Sequence, residues 1–163
     1  MEARWAVFFD ALAIPYGYEV EGFNIDGLYY LPDFWLPESE VWLEIKGRSP
    51  DEDEIIKATK LAQQGEYPVV IFWSYFDFKT LARDSIVFTK DVNGVFYSRK
   101  HCGIEMLGEK IWIPANVERA FTAARQARFE HGERENGRVR RIHTATRELE
   151  QAPSFTYWRA ALD

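Results

Sequence analysis

The sequence predicts an α/β fold: a helix, a three-strand meander, a second helix and a further strand, followed by a β-hairpin and C-terminal helices. Three observations carry this. Residues 2–13 place Trp5, Phe8, Phe9 and Leu12 at helical spacing. Three strand-like segments follow, "YGYEVEGF", "GLYYLPDFWL" and "VWLEIKG", divided by the turn-like "NIDG" and "PESE". A well-punctuated helix, "SPDEDEIIKATKLAQQG", then leads into the unbroken apolar run "YPVVIFWSYF".

Each element has its own local reason. Pro15 stops the first helix. The short turn over residues 37–40 allows the first three strands to pair antiparallel. Ser49 is the expected N-cap of the second helix, with Pro50 at its first position and Asp51, Glu52, Asp53 and Glu54 complementing the dipole. Gly65 suits its C-terminal cap. That helix carries the chain over to a strand covered on both faces. "SIVFTKDVNGVFYSR" predicts a hairpin around Asn93-Gly94. "EKIWIPA" is a further strand, and Asn116 caps a helix running to about residue 130. "HGERENG" is a break, and residues 138–151 read as a helix polar nearly all round. Trp35, Trp42, Trp73 and Trp112 are expected in the core.

Composition narrows the class. The 163 residues suit one domain with an appendage, and 47% hydrophobic content readily supplies a core. No apolar run reaches the roughly 18 residues that span a bilayer, and the acid-bearing N-terminus does not read as a signal peptide. A single cysteine, Cys102, excludes an internal disulfide and a multi-cysteine zinc site, so a cytoplasmic setting is expected. A net charge of −6 argues against holding duplex nucleic acid by charge alone. The charge is uneven: residues 1–113 carry 11 Lys/Arg against 19 acids, and residues 114–163 carry 9 Arg, no Lys and 7 acids.

The chemistry concentrates in "YLPDFWLPESEVWLEIKGR". Glu44 and Lys46, two apart on a strand, share one face, while Leu43 and Ile45 point into the core. Antiparallel pairing brings Asp33 from the preceding strand beside Glu44. Two carboxylates so placed each resist ionising. A hard divalent cation removes that conflict, and oxygen ligands suit Mg²⁺ or Mn²⁺. Such an ion lowers the pKa of its water and neutralises charge on a phosphodiester, and Lys46 stands ready to orient that water or stabilise the phosphate. The pattern points to metal-assisted phosphodiester hydrolysis.

Pro32-Asp33 followed by Glu44-Ile45-Lys46 resembles the motif of the PD-(D/E)XK nuclease superfamily. The element order through about residue 74 is similar to its restriction-endonuclease-like core. The resemblance implies a nuclease-like domain over residues 1–113, with residues 114–163 as a helical, arginine-containing extension. It implies Asp33, Glu44 and the Ile45 carbonyl as metal ligands and Lys46 as the catalytic lysine. It also implies an acid from the first helix, for which Glu2 is preferred over Asp10, and a polar residue from the second helix, for which Gln64 is the candidate. The implied activity is a Mg²⁺-dependent DNA endonuclease, which fits a bacterial or phage setting.

Other residues bear on a polyanion. Lys57, Lys60 and Gln64 share one helix face. Arg48, and Arg138, Arg140 and Arg141 in "GRVRR", are candidate nucleic-acid contacts. Each also has an ordinary reading as a solvated charge, and the acidic run at residues 51–54 is better explained by the helix N-terminus than by a cation. Three rivals stay open: a non-catalytic nuclease-like scaffold for nucleic acid or protein, an RNA endonuclease on the same fold, and a plain protein-binding module. A protein partner or a homodimer is compatible with each, and a membrane partner is not expected.

Overall fold

The computed structural model describes residues 1–73, 80, 83–108 and 114–127. They form an α/β fold around a mixed six-stranded sheet. In chain order the elements are α1 (Glu2–Ala11), β1 (Gly17–Tyr18), β2 (Phe23–Ile25), β3 (Leu28–Tyr30), β4 (Phe34–Leu36), β5 (Val41–Ile45), α2 (Glu52–Gln64), β6 (Val69–Phe72), β7 (Ser85–Lys90), β8 (Phe96–Lys100), a 3₁₀ turn (Gly103–Leu107) and α3 (Pro114–Gln126). The sheet order is β1-β4-β5-β6-β7-β8. β5 and β6 run parallel across the α2 crossover, and every other pair in the sheet is antiparallel. No helix among the described residues is long and apolar enough to cross a membrane.

The strand alternation divides the core into two layers. Val41, Leu43 and Ile45 of β5 and Val70 and Phe72 of β6 face a layer shared with Trp5, Phe8 and Phe9 of α1 and Val117 and Phe121 of α3. Phe8 meets Phe121 at a ring-centroid distance of 4.6 Å, so the described part of the arginine-containing extension is packed into the body. Trp42, Val69, Ile71, Ile86 and Phe88 face the other layer, with Ala58, Leu61 and Ala62 of α2 and Ile25 and Tyr30 of the β2–β3 hairpin. β6 is buried throughout, as expected for a strand covered on both faces.

Several expectations are refined. The first two predicted strands each break in two. Asp26 and Gly27 turn with φ of +52° and +81°, and β2 and β3 pair as a separate small sheet. Pro32 lacks an amide donor, so pairing resumes only beyond it, with β4 between β1 and β5. The meander in the main sheet is therefore β1-β4-β5, with the hairpin inserted.

Ser49 and Pro50 do not open α2. Asp51 is the N-cap: its side chain accepts from the Glu54 amide while the Glu54 carboxylate accepts from the Asp51 amide. This reciprocal box satisfies two helix-end donors, which Ser49 cannot match two residues earlier. Gly65 does end α2. α3 starts at Pro114, ahead of the expected cap Asn116. The hairpin around Asn93-Gly94 forms as expected, Gly94 adopting φ +79° and the Asp91 carboxylate accepting from the Asn93 and Val95 amides. Trp42 is buried, and Trp35 and Trp73 pack partly exposed against the α2 layer. Trp112, the proposed strand "EKIWIPA" up to residue 113, and the helix at 138–151 lie outside the described residues.

Candidate functional site

The C-terminal end of β5 carries the polar side chains singled out from the sequence. β4 pairs antiparallel with β5, Phe34 opposite Leu43. Asp33, one residue before β4, is thereby delivered to the end of β5. The Glu19 amide bonds its backbone carbonyl at 2.9 Å, fixing it from the β1 side. Its carboxylate Oδ2 accepts from the Ile45 amide at 2.6 Å, between Glu44 and Lys46 in the chain. The Lys46 amide in turn donates to the Phe72 carbonyl at 2.8 Å, joining this end of β5 to β6.

Glu44 is 6% exposed, an unusual burial for an acid. Its Oε1 lies 2.5 Å from Lys46 Nζ. Its Oε2 is buried with no hydrogen-bond partner among the described residues, and so is the Tyr30 hydroxyl. Lys46 Nζ also lies 3.2 Å from Glu54 Oε1. Arg48 approaches the same carboxylate, with Nη1 3.0 Å from Glu54 Oε2, and reaches Asp51 at 2.8 Å.

The electrostatics follow from burial and crowding. Burial first, then the Glu44 charge, raise the Asp33 carboxyl to about 7, with Glu2 adding to the rise and the Ile45 amide opposing it. Burial also raises Glu44, against the lowering effect of Lys46 and of the Tyr30 phenol. For Lys46, burial favours the neutral amine, but the pairs with Glu44 and Glu54 outweigh it and the ammonium is held above its usual range. The corner thus combines one firmly charged amine with two carboxylates that resist carrying charge together.

Glu2 belongs to the surroundings of this corner. Its charge is felt at Asp33, and its carboxylate accepts a short hydrogen bond from the Tyr18 hydroxyl. Gln64 lies elsewhere. Its amide and Lys60 Nζ both contact Asp26 Oδ2, at 2.9 and 3.1 Å, in the β2–β3 turn. The ten residues of helix separating Gln64 from Glu54 span about 15 Å. Lys57 is half-buried on α2. The Arg48 guanidinium is exposed but paired with the two acids. Arg138, Arg140 and Arg141 lie outside the described residues.

Two residues of the site were not singled out from the sequence. Glu54 reads as a dipole-complementing acid, and its spacing of three from Asp51 signals only the cap. Tyr30 looks like any strand aromatic, and only the tertiary pairing turns its hydroxyl toward Glu44. Among the described residues, no group of three or more His, Cys, Asp or Glu side chains is arranged to hold a metal ion. The donor set at the end of β5 is the Asp33 and Glu44 carboxylates with the backbone carbonyl of Ile45, which follows Glu44 in the chain. That suits Mg²⁺, which takes one or two carboxylates and fills its other positions with water and phosphate. The partnerless Glu44 Oε2 fits the same reading. No family model, no curated protein and no solved structure matches this chain.

Proposed function

We propose that this chain is a metal-dependent nuclease that hydrolyses phosphodiester bonds in DNA, a restriction-endonuclease-like enzyme of the PD-(D/E)XK type. One observation carries the reading: the Asp33 carboxylate bonds the Ile45 amide, and so stands with Glu44 and Lys46 at one strand end. Support for the family comes from the order of helix, antiparallel strands, crossover helix and parallel strand around that end.

In this reading Asp33 and Glu44, with the Ile45 carbonyl, hold Mg²⁺ or Mn²⁺. The cation supplies charge neutralisation at the phosphodiester and activates water. Asp33 is steered by the Ile45 amide, leaving Oδ1 for the cation. Lys46 keeps its ammonium charged and places it beside Glu44, where it meets a phosphate oxygen. With a net charge of −6, grip on the polyanion is local and Coulombic, and Arg48, which shares Glu54 with Lys46, adds to it.

A second reading has an observation of its own. Lys46 is held between two carboxylates, and no three-acid cluster is assembled among the described residues. Both suit a non-catalytic scaffold in which the trio is a structural ion-pair network. One experiment separates the two: supercoiled, linear and single-stranded DNA, and RNA, incubated with the chain in Mg²⁺, Mn²⁺ or EDTA, beside Lys46→Ala. A nuclease nicks supercoiled DNA with metal and loses this in EDTA and in Lys46→Ala. Cleavage of RNA alone moves the substrate to RNA. Intact substrates throughout favour the scaffold, and equal cleavage by Lys46→Ala rejects the mechanism.

A further inference from the structure

We infer that Tyr30 is a positioning residue for Glu44: its hydroxyl fixes the rotation of the carboxylate that takes the divalent cation. This rests on the nuclease reading for the cation itself. Native interiors leave few buried polar atoms unpaired, because each forfeits its bonds to water without replacement. Among the described residues two buried side-chain oxygens or nitrogens lack a partner, Tyr30 Oη and Glu44 Oε2. They fall in the same corner, and the phenol and the carboxylate interact electrostatically. A donor and an acceptor left open side by side are set up for a ligand or a small closing movement, rather than for stability.

The chain holds Tyr30 there by several devices. It is the last residue of β3, opposite Phe23 of β2, and its ring packs with Trp42 and Ile71. Asp26, at the turn of that hairpin, is fastened to α2 by Lys60 and Gln64. Those two residues thereby act on the corner through the hairpin. Three residues beyond Tyr30 the chain reaches Asp33, through the stiff Leu31-Pro32 step. Glu44 Oε1 is already taken by Lys46. A hydroxyl that closes on Oε2 sets the plane of the carboxylate, as partners of metal ligands do.

The test is Tyr30→Phe, which keeps the ring and removes the donor. Mn²⁺ affinity of the intact chain without DNA is measured by calorimetry, and thermal unfolding is followed without metal. DNA nicking by wild type is scored alongside. The expected result is Mn²⁺ binding about tenfold weaker, with a cation-free Tm equal to or above that of wild type. A lowered cation-free Tm overturns the inference, because the hydroxyl would then be structural. Unchanged Mn²⁺ affinity in Tyr30→Phe overturns it even where wild type nicks DNA, and the nuclease reading survives. Weakened affinity in a chain that never cuts nucleic acid supports the role of Tyr30 and removes the nuclease. A wild type that binds no Mn²⁺ overturns both.

Discussion

The carboxylate of Asp33 accepts a 2.6 Å hydrogen bond from the amide of Ile45, twelve residues further along the chain. That bond ties the loop before β4 to the end of β5. It also places a half-buried acid that resists ionising beside the buried Glu44.

Asp33→Asn keeps an acceptor for the Ile45 amide and removes the charge. The Asp33 carboxyl rises from the ordinary value of 3.8 to about 7 on folding. Between those values the folded chain binds the extra proton, so its stability falls as pH rises from about 4 to 7. Asn escapes this loss. In metal-free buffer Asp33→Asn is expected to be more stable than wild type, with a gain about 1–2 kcal/mol larger at pH 8 than at pH 5. Urea unfolding at both pH values checks this. The same gain at both values contradicts it.

Lys46→Met leaves Glu44 buried without its cation. A loss of about 1–2 kcal/mol is expected, below that of a fully buried pair because Lys46 retains some solvent exposure. Adding Glu44→Gln removes the stranded charge and recovers most of the loss, while cleavage stays absent. Denaturation of both single variants and the double variant, with a nicking assay on each, reads out this cycle.

Glu54 grips both Lys46 and Arg48, where a phosphate would compete for the same cations. Glu54→Gln preserves the capping box, since glutamine serves at that position. It frees both cations in part. DNA binding in EDTA at low salt is expected to tighten about threefold, and Arg48→Ala to weaken it and flatten its salt dependence. Fluorescence anisotropy over a salt series checks both; looser binding by Glu54→Gln contradicts the competition.

Just past the end of α1, Ala13 adopts φ +50°, its amide and that of Ile14 bonding back to Asp10 and Phe9. Glycine takes this left-handed position without strain. Ala13→Gly is expected to stabilise the chain by about 0.5–1 kcal/mol, measured by urea unfolding, without altering Mn²⁺ affinity.

What the sequence made legible depended on period and punctuation. Trp5, Phe8 and Phe9 at helical spacing, the β5 alternation between the two core layers, the Gly65 stop and the Asn93-Gly94 hairpin each express a local rule, and each reappears in the fold. The Asp33–Glu44–Lys46 corner was legible because a short antiparallel turn nearly determines which side chains meet. The breaks were harder to read. A strand pattern interrupted at Pro32 is still a strand pattern, and the Asn24–Gly27 turn signals a hairpin without saying that it leaves the main sheet. Asp51 prevails over Ser49 only because Glu54 answers it. Gln64 was placed by helix-face spacing, yet which end of α2 meets the corner is a tertiary fact, and the end that does so carries Glu54. Tyr30 is invisible locally, because an aromatic residue at a strand end is ordinary until its hydroxyl is found beside a buried carboxylate.

The nuclease reading requires that Asp33, just ahead of β4, and Glu44 of β5 share one cation. A crystal of the intact chain soaked in Mn²⁺, measured at a wavelength where manganese scatters anomalously, tests it directly. The expected result is one strong peak within about 2.0–2.3 Å of a carboxylate oxygen from each of Asp33 and Glu44. Bare density there at millimolar Mn²⁺, with Lys46 still clasping Glu44, would contradict it.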